Sequence, residues 1–224
     1  MASIRFQDRT DAGRRLAAVL ACYRDDRPIV LALPRGGVPV GFEVARALTA
    51  PLDVLLVRKI GAPDYPELGL GAVVDGADPH VVLTDSVMRE VEPSSAYLEA
   101  EIQRQLAEIE RRRRLYRGDR PALPIAGRSV IVVDDGIATG GTVTAALQGL
   151  TAAHPAQLIL AVPVAPADVL ETLSRLADNV VCLAAPHLFG AVGRFYDDFR
   201  QTTDEEVVRL LAEAAAEGPA PSAD

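Results

Sequence analysis

The segment that most constrains the fold of this 224-residue chain is an apolar run that ends in two aspartates and a glycine-rich loop. Residues 129–133, SVIVV, have the length and β-branched composition of a buried strand. Asp134 and Asp135 follow at once, and from about Gly141 the sequence TVTAALQGLTAA has helical spacing. A strand without polar alternation that leads through a loop into a helix is typical of a parallel sheet covered by helices.

The same order of strand, loop and helix recurs along the chain. Strands are predicted at residues 28–33, 52–57, 80–84, 157–164 and 179–185. Helices are predicted at residues 10–23, 38–49, 94–117, 167–177 and 203–217, the first capped by Thr10 and Asp11 and the last by Thr203. The alternation predicts the α/β class, with a doubly wound, mainly parallel sheet flanked by helices.

The chain is predicted to form one domain followed by a short tail. A hydrophobic content of 49% suits a sizeable core, so residues 1–216 are expected to form a single domain. Residues 217–224, EGPAPSAD, are expected to be a disordered tail, because small, polar and proline-rich segments bury little apolar surface.

Charge and apolar runs limit the partners of the chain. The formal net charge is -8, which argues against nucleic acid as a partner because phosphate neutralisation needs clustered positive charge. No apolar run approaches the roughly 18 residues of a membrane span, and no leader-like segment opens the sequence, so we expect a cytoplasmic protein without a membrane partner. Cys22 and Cys182 lie in apolar stretches and are predicted to be buried free thiols.

The loop after the 129–133 strand has the chemistry of an anion site. Its glycines let the backbone approach a ligand closely. The amides of residues 139–142 are expected to point at an anion, which the dipole of the following helix also favours. Asp134 and Asp135 can accept hydrogen bonds from vicinal ribose hydroxyls or hold a hydrated Mg²⁺. The P-loop pattern and the GxGxxG pattern are both absent, so the common nucleotide fingerprints do not explain the loop.

The sequence VIVVDDGIATGGT resembles the 5-phosphoribosyl-1-pyrophosphate binding motif of the type I phosphoribosyltransferases. The resemblance covers both acids, the loop length and the Thr-Gly-Gly-Thr end. It implies that this loop binds the phosphoribosyl substrate and that Asp134 and Asp135 hold Mg²⁺, directly or through water. The substrate-binding residues that it implies are Asp134, Asp135, Gly136, Ala138, Thr139, Gly140, Gly141 and Thr142.

Two further segments extend the resemblance over about residues 28–165. The sequence LPRGGVPVG is similar to the family's pyrophosphate loop, which implies that Arg35, Gly36 and Gly37 meet the diphosphate. Arg58 and Lys59, expected at the end of the second strand, are similar to the basic pair that contacts pyrophosphate in this family. Lys59 is the only lysine among 23 basic residues, so a specific role would account for it.

The resemblance implies displacement of pyrophosphate from the anomeric carbon by a nitrogenous base. It implies catalytic roles for Arg35, Lys59 and Asp135, a mobile loop within residues 61–97 that closes over the reacting centre, and a homodimer. Family members that use 6-oxopurines commonly carry a carboxylate where this chain has Ala138, so the acceptor base stays open.

A small hood region is expected at about residues 186–200, where several family members cover the base. Phe195 and Tyr196 could stack on a base, and Pro163 and Val164 could line the same pocket. The alternative, that Phe189, Phe195 and Phe199 pack a core, carries equal weight, because aromatic clusters usually build cores.

Two other functions remain open at this point. A non-catalytic regulatory protein that binds phosphoribosyl pyrophosphate would need the acids and the phosphate loop, but neither Lys59 nor a closing lid. A protein that binds another phosphorylated sugar or a nucleotide would share the fold and the phosphate loop, since neither dictates the chemistry.

Overall fold

In the computed structural model, which describes residues 4–76 and 79–217, the chain forms an α/β fold with two sheets. The strands are β1 (Ile29–Ala32), β2 (Leu52–Val54), β3 (Val57–Gly61), β4 (Gly69–Val74), β5 (His80–Leu83), β6 (Ser129–Val133), β7 (Gln157–Val164) and β8 (Asn179–Ala184). The α-helices are α1 (Arg9–Leu20), α2 (Gly37–Leu48), α3 (Asp85–Val91), α4 (Ser95–Arg117), α5 (Gly141–Thr151), α6 (Ala167–Leu173) and α7 (Asp204–Glu217).

The main sheet has five strands in the order β2-β1-β6-β7-β8, and every pairing in it is parallel. Successive side chains of its strands enter two different cores. Val30 and Ile131 pack with residues of α1, α2, α4 and α7 on one face, while Leu31 and Val132 pack with α5 and α6 on the other. The predicted doubly wound sheet flanked by helices is therefore confirmed.

The register of β1 and β6 positions the functional region. Ala32 pairs with Val133, and the amide of Leu33 donates to the carbonyl of Val133 at 2.9 Å. The two neighbouring strands thus end at the same level of the sheet. The loop that begins at Pro34 and the loop that begins at Asp134 consequently leave the sheet side by side.

The single strand predicted at residues 52–57 is wrong, because two strands in different sheets share this apolar run. β2 belongs to the main sheet, whereas β3 opens a second sheet of order β3-β4-β5 that is antiparallel. Leu55 and Leu56 join them and are 3% and 1% exposed, each in a different core. Burial on both sides of the crossing makes the run continuously apolar, so the sequence does not reveal the break.

A buried ion cluster, which the sequence did not predict, ties the two sheets to the end of α4. Arg117 donates to Asp53 at 2.7 Å, to Asp75 at 2.9 Å and to the carbonyl of Val54 at 2.6 Å. The side chains of Arg117, Asp53 and Asp75 are 5%, 8% and 1% exposed. Arg113 also contacts Asp75, so its side chain faces the protein.

Several boundaries and burial predictions differ from the structure. The cap of α1 is Asp8, which accepts a hydrogen bond from the amide of Asp11, rather than Thr10 or Asp11. Cys22 is exposed and Cys182 is partly exposed, so the predicted burial of Cys22 is wrong. Thr203 does cap α7, accepting from the amide of Glu206 at 3.2 Å.

Of the predicted tail, residues 217–224, the structure describes the first residue. α7 extends to Glu217, and residues 218–224 of the predicted tail lie outside the described residues. In the described ranges, no helix combines the length and apolar character that crossing a bilayer requires.

Candidate functional site

The candidate site lies where the loops after β1 and β6 touch each other. A Cβ atom added to Gly37 would lie 2.7 Å from the carbonyl oxygen of Val133, and one added to Gly36 would lie 2.6 Å from the carboxyl carbon of Asp135. Gly36 has a φ of -61°, which any residue adopts, so the need for glycine there is space and not backbone conformation. The structure therefore brings the predicted residues Gly36 and Gly37 directly against Asp134 and Asp135.

The two aspartates are held by different partners. Oδ1 of Asp134 accepts a hydrogen bond from the amide of Asp135 at 2.9 Å. Oδ2 of Asp135 accepts from Nε of Arg9 at 2.7 Å, and the backbone carbonyl of Asp135 accepts from the Tyr196 hydroxyl at 2.5 Å. Arg9 was not predicted at this site, because it lies 126 residues from Asp135 in the sequence and belongs to no recognisable motif.

Burial disfavours the ionised forms of both aspartates at the site. Burial, and then the neighbouring charge of Asp135, raise the pKa of Asp134 well above its usual range. Burial also raises the pKa of Asp135, while the guanidinium of Arg9 acts in the opposite direction. A carboxylate pair with raised pKa values favours a bound cation or a group that donates hydrogen bonds.

The two carboxylates of Asp134 and Asp135 fit a magnesium ion that takes its other ligands from outside the protein. Oδ2 of Asp134 and Oδ1 of Asp135 accept no hydrogen bond from another residue within the described ranges. Across these ranges, no group of three or more His, Cys, Asp or Glu side chains could hold a metal. Mg²⁺ commonly binds through one or two carboxylates and keeps water or phosphate oxygens as its other ligands.

The start of α5 forms another side of the site. Within residues 4–76 and 79–217, the backbone amides of residues 138–143 donate to no protein acceptor. Ala138, Thr139 and Thr142 are exposed, and Gly140 has a φ of 79°, which favours glycine and turns the chain into the helix. Free amides at a helix start attract a phosphate group. Gly136 and Gly141 complete the loop.

The backbone amides of the three predicted diphosphate residues after β1 differ in whether they are free. The amide of Gly37 donates to the carbonyl of Leu33 at 3.0 Å, so it is engaged within the protein. In the described structure, the amides of Arg35 and Gly36 have no protein acceptor. The guanidinium of Arg35 lies 3.6 Å from the carboxylate of Asp204 at the start of α7.

The predicted basic pair does not contact the acid pair. Arg58 donates to Oε1 of Gln105 on α4 at 3.0 Å, and Lys59 donates to the carbonyl and a carboxylate oxygen of Glu67 at 3.0 and 3.1 Å. Both residues lie inside β3, not at the end of a strand of the main sheet as predicted. Their position in the second sheet is the physical reason for the separation.

The hood region packs against the N-terminal segment. Phe195 and Tyr196 are 9% and 3% exposed, and they form an apolar cluster with Phe6 and Val164. Pro163 is also buried. These side chains are thus engaged in packing, whereas Phe199 is 37% exposed and lies beneath the guanidinium of Arg9, which is 4.0 Å from its ring centre.

Comparisons with known proteins extend over most of the chain. A family model described as the phosphoribosyl transferase domain matches residues 6–200. Two curated proteins of Mycobacterium tuberculosis, provisionally named as phosphoribosyl transferases, are each 49% identical over 209 residues, which is 93% of this chain and 47% of each relative. The chain therefore spans about half the length of the curated relatives it matches.

A solved structure resembles the whole fold. The crystal structure of the protein TT1426 from Thermus thermophilus has a TM-score of 0.82 and 45% sequence identity with this chain. The superposition covers 94% of this chain and 99% of that chain. The arrangement of sheets and helices described above is thus shared over almost the full length of both proteins.

Proposed function

We propose that this chain, which belongs to the phosphoribosyl transferase domain family, transfers phosphoribose from 5-phosphoribosyl-1-pyrophosphate to a nitrogenous base and releases pyrophosphate. The observation that carries the proposal is the contact between two loops at the carboxyl ends of β1 and β6. It places Gly36 against the carboxylate of Asp135, beside the free amides at the start of α5. A site of this kind offers one region for a monophosphate, one for a ribose and one for a diphosphate.

Each part of the substrate has a matching group. The 5-phosphate is assigned to the amides of residues 138–142, because these are free and lie at the positive end of a helix. The ribose hydroxyls are assigned to Asp134 and Asp135, whose unpartnered oxygens can accept hydrogen bonds. The diphosphate is assigned to the free amides of Arg35 and Gly36.

The proposal includes Mg²⁺ as the cofactor, held by Asp134 and Asp135 directly or through water. When bound, the ion would neutralise charge on the diphosphate and favour its departure. The chain itself supplies the carboxylates that orient the ribose and the backbone amides that fix the two ends of the substrate.

The proposed reaction breaks the bond between the anomeric carbon and the pyrophosphate oxygen and forms a bond from that carbon to a nitrogen of the base. Negative charge accumulates on the leaving pyrophosphate, so cationic groups near it lower the barrier. We assign this role to Arg35, Arg58 and Lys59. The side chain of Lys59 is 46% exposed and its partner Glu67 is fully exposed, so the pair can separate when an anion arrives.

The acceptor site is proposed beneath the hood, close to Pro163 and Val164. With Phe195 and Tyr196 largely buried, Phe199, which is 37% exposed, has aromatic surface to offer a ligand. The absence of a carboxylate at Ala138 disfavours the 6-oxopurine pattern of the resemblance and leaves the identity of the base to experiment.

We also propose the domain, the compartment and the partners of the reaction. We place it in one domain of residues 1–216, in the cytoplasm, with small molecules and not nucleic acid as partners. We propose a homodimer from the family resemblance. Light scattering of the purified chain measures its oligomeric state.

A second candidate function is a regulatory protein that binds phosphoribosyl pyrophosphate without turning it over. The observation that favours it is the engagement of Arg58 with Gln105 and of Lys59 with Glu67, away from the acid pair. Such a protein would keep the phosphate loop and the aspartates but would not need a cationic group at the leaving pyrophosphate.

An assay of pyrophosphate release tests the two candidates against each other. The full chain is incubated with phosphoribosyl pyrophosphate, Mg²⁺ and a panel of purine, pyrimidine and other nitrogenous bases, with the double variant D134N/D135N as the control. Release that depends on one base and is lost in the double variant supports the transferase. Tight binding of phosphoribosyl pyrophosphate with no base-dependent release across the panel supports the regulatory protein.

A further inference from the structure

We propose that Arg9 is a positioning residue for the ribose of the substrate, acting through the carboxylate of Asp135. This inference rests on the proposed function, because it concerns the same site. Arg9 holds one oxygen of Asp135 and leaves the other oriented for a ribose hydroxyl.

The side chain of Arg9 is held from three directions. Nε donates to Oδ2 of Asp135 at 2.7 Å, and a terminal nitrogen donates to the carbonyl of Arg200 at 2.6 Å. The guanidinium lies 4.0 Å from the ring centre of Phe199, within the range of a cation–π contact. A guanidinium fixed by two hydrogen bonds and a ring has little freedom, so the carboxylate that it contacts is also restrained.

The contact with Asp135 is shielded from water. The side chains of Arg9 and Asp135 are 12% and 13% exposed, in contrast to the surface ion pairs of this chain. Arg200 and Asp198, an ion pair of the same residue types, are 89% and 41% exposed. A charge-assisted hydrogen bond in a shielded setting contributes more than an exposed ion pair of the same residue types.

The two oxygens of Asp135 have different surroundings. Oδ2 is engaged by Arg9 and is the oxygen that abuts Gly36, whereas Oδ1 accepts no hydrogen bond from another residue in the described ranges. The Tyr196 hydroxyl fixes the backbone carbonyl of Asp135 from a further side. Rotation of the carboxylate would break the contact with Arg9. The contact therefore holds the carboxylate in an orientation that leaves Oδ1 available.

The position of Arg9 is set by the pairing of the N-terminal segment with the hood. The amide of Phe6 donates to the carbonyl of Phe195 at 2.8 Å, and the amide of Asp197 donates to the carbonyl of Phe6 at 2.8 Å. The amide of Asp198 donates to the carbonyl of Gln7 at 2.9 Å, two residues before α1 begins at Arg9. Arg9 therefore connects the hood to the acid pair of the ribose site.

Binding measurements separate this role from a general structural one. Ribose 5-phosphate and inorganic phosphate are titrated calorimetrically into the full chain without divalent cations, so that both probes use the phosphate loop and one of them also uses Asp135. Arg9→Met removes the hydrogen bonds and keeps most of the side-chain volume. Arg14→Met is the matched control on the same helix, because Glu43, the partner of Arg14, keeps Arg46 as a partner at 2.5 Å.

The proposal expects Arg9→Met to weaken ribose 5-phosphate binding by about tenfold, the order of one charge-assisted hydrogen bond, and to leave phosphate binding within about twofold. Arg9→Lys retains the charge but cannot contact Asp135 and Arg200 at once, so its affinity should lie between those of Arg9→Met and the unaltered chain. Arg14→Met should bind both probes as the unaltered chain does.

Three results would overturn the inference. They are unchanged binding of ribose 5-phosphate by Arg9→Met, tighter binding that would make Arg9 an obstruction, and an equal loss for both probes. If Arg9→Met does not fold by circular dichroism, Arg9→Lys carries the test, and it must lose affinity for ribose 5-phosphate alone. Failure of the unaltered chain to bind phosphoribosyl pyrophosphate with Mg²⁺ is a separate result, which would remove the proposed function itself.

Discussion

Gly36 lies so close to Asp135 that a Cβ atom on Gly36 would be 2.6 Å from the carboxyl carbon of the aspartate. The two residues belong to different loops, which leave the neighbouring strands β1 and β6 at the same level. Their contact joins the proposed diphosphate loop to the proposed ribose site. The geometry of one loop therefore depends on the presence of a hydrogen atom in place of a side chain in the other.

Gly36→Ala is expected to displace the Asp135 carboxylate and to weaken binding of phosphoribosyl pyrophosphate. The backbone conformation of Gly36 is open to alanine, so the protein should still fold, with a loss of about 1–3 kcal/mol from overpacking. Calorimetric titration and urea unfolding measure the two effects. Unchanged affinity in a folded variant would show that the contact has no part in ligand binding.

Arg117→Met is expected to lower the free energy of unfolding by about 3–5 kcal/mol, because it leaves the buried carboxylates of Asp53 and Asp75 without their shared partner. Arg114→Met is the matched control on the same helix, since Arg114 is 78% exposed and pairs with Glu110 on the helix surface. The control should change stability by less than about 1 kcal/mol in the same urea titration. Equal effects of the two substitutions would contradict the role of the buried cluster.

Lys59→Met is expected to reduce base-dependent pyrophosphate release on the order of a hundredfold, the cost of removing one donor from a developing anion. Binding of ribose 5-phosphate, which lacks the diphosphate, should not change. Lys59→Arg retains the charge and should keep part of the turnover. Release at the unaltered rate in Lys59→Met would remove Lys59 from the mechanism.

The two cysteines are expected to react with a thiol reagent at different rates. Cys22 is exposed, whereas Cys182 is partly buried, and burial raises the pKa of its thiol so that less thiolate is present near neutral pH. Reaction with Ellman's reagent should show one fast thiol, and Cys22→Ser should abolish the fast phase. Two equally fast thiols in the folded protein would contradict this assignment.

The parts of the fold that the sequence predicted are those with a local signal. The 129–133 strand, its glycine loop and the following helix carry hydrophobic period, turn chemistry and helix start within one short segment. The crossing at Leu55 and Leu56 was missed, because burial in two cores produces the same apolar run as one strand. Hydrophobicity reports burial and does not report which sheet a residue joins.

The sequence predicted the part of the candidate site that lies in one motif and missed residues that reach it from elsewhere in the chain. The acids and the phosphate loop form one contiguous motif, whereas Arg9 reaches Asp135 across 126 residues of sequence. The sequence likewise did not predict that the guanidinium of Arg117 is buried between two aspartates. Long-range partners of this kind depend on how the elements pack, and no local pattern encodes them.

Calorimetric titration of phosphoribosyl pyrophosphate with Mg²⁺ into the unaltered chain and into the double variant D134N/D135N measures whether the two aspartates hold the substrate. The two substitutions keep the shape of the side chains and remove the charges that are assigned to the ribose and the metal. We expect saturable binding to the unaltered chain and loss of most of that affinity in the double variant. No binding at millimolar ligand, or equal binding by both proteins, would contradict it.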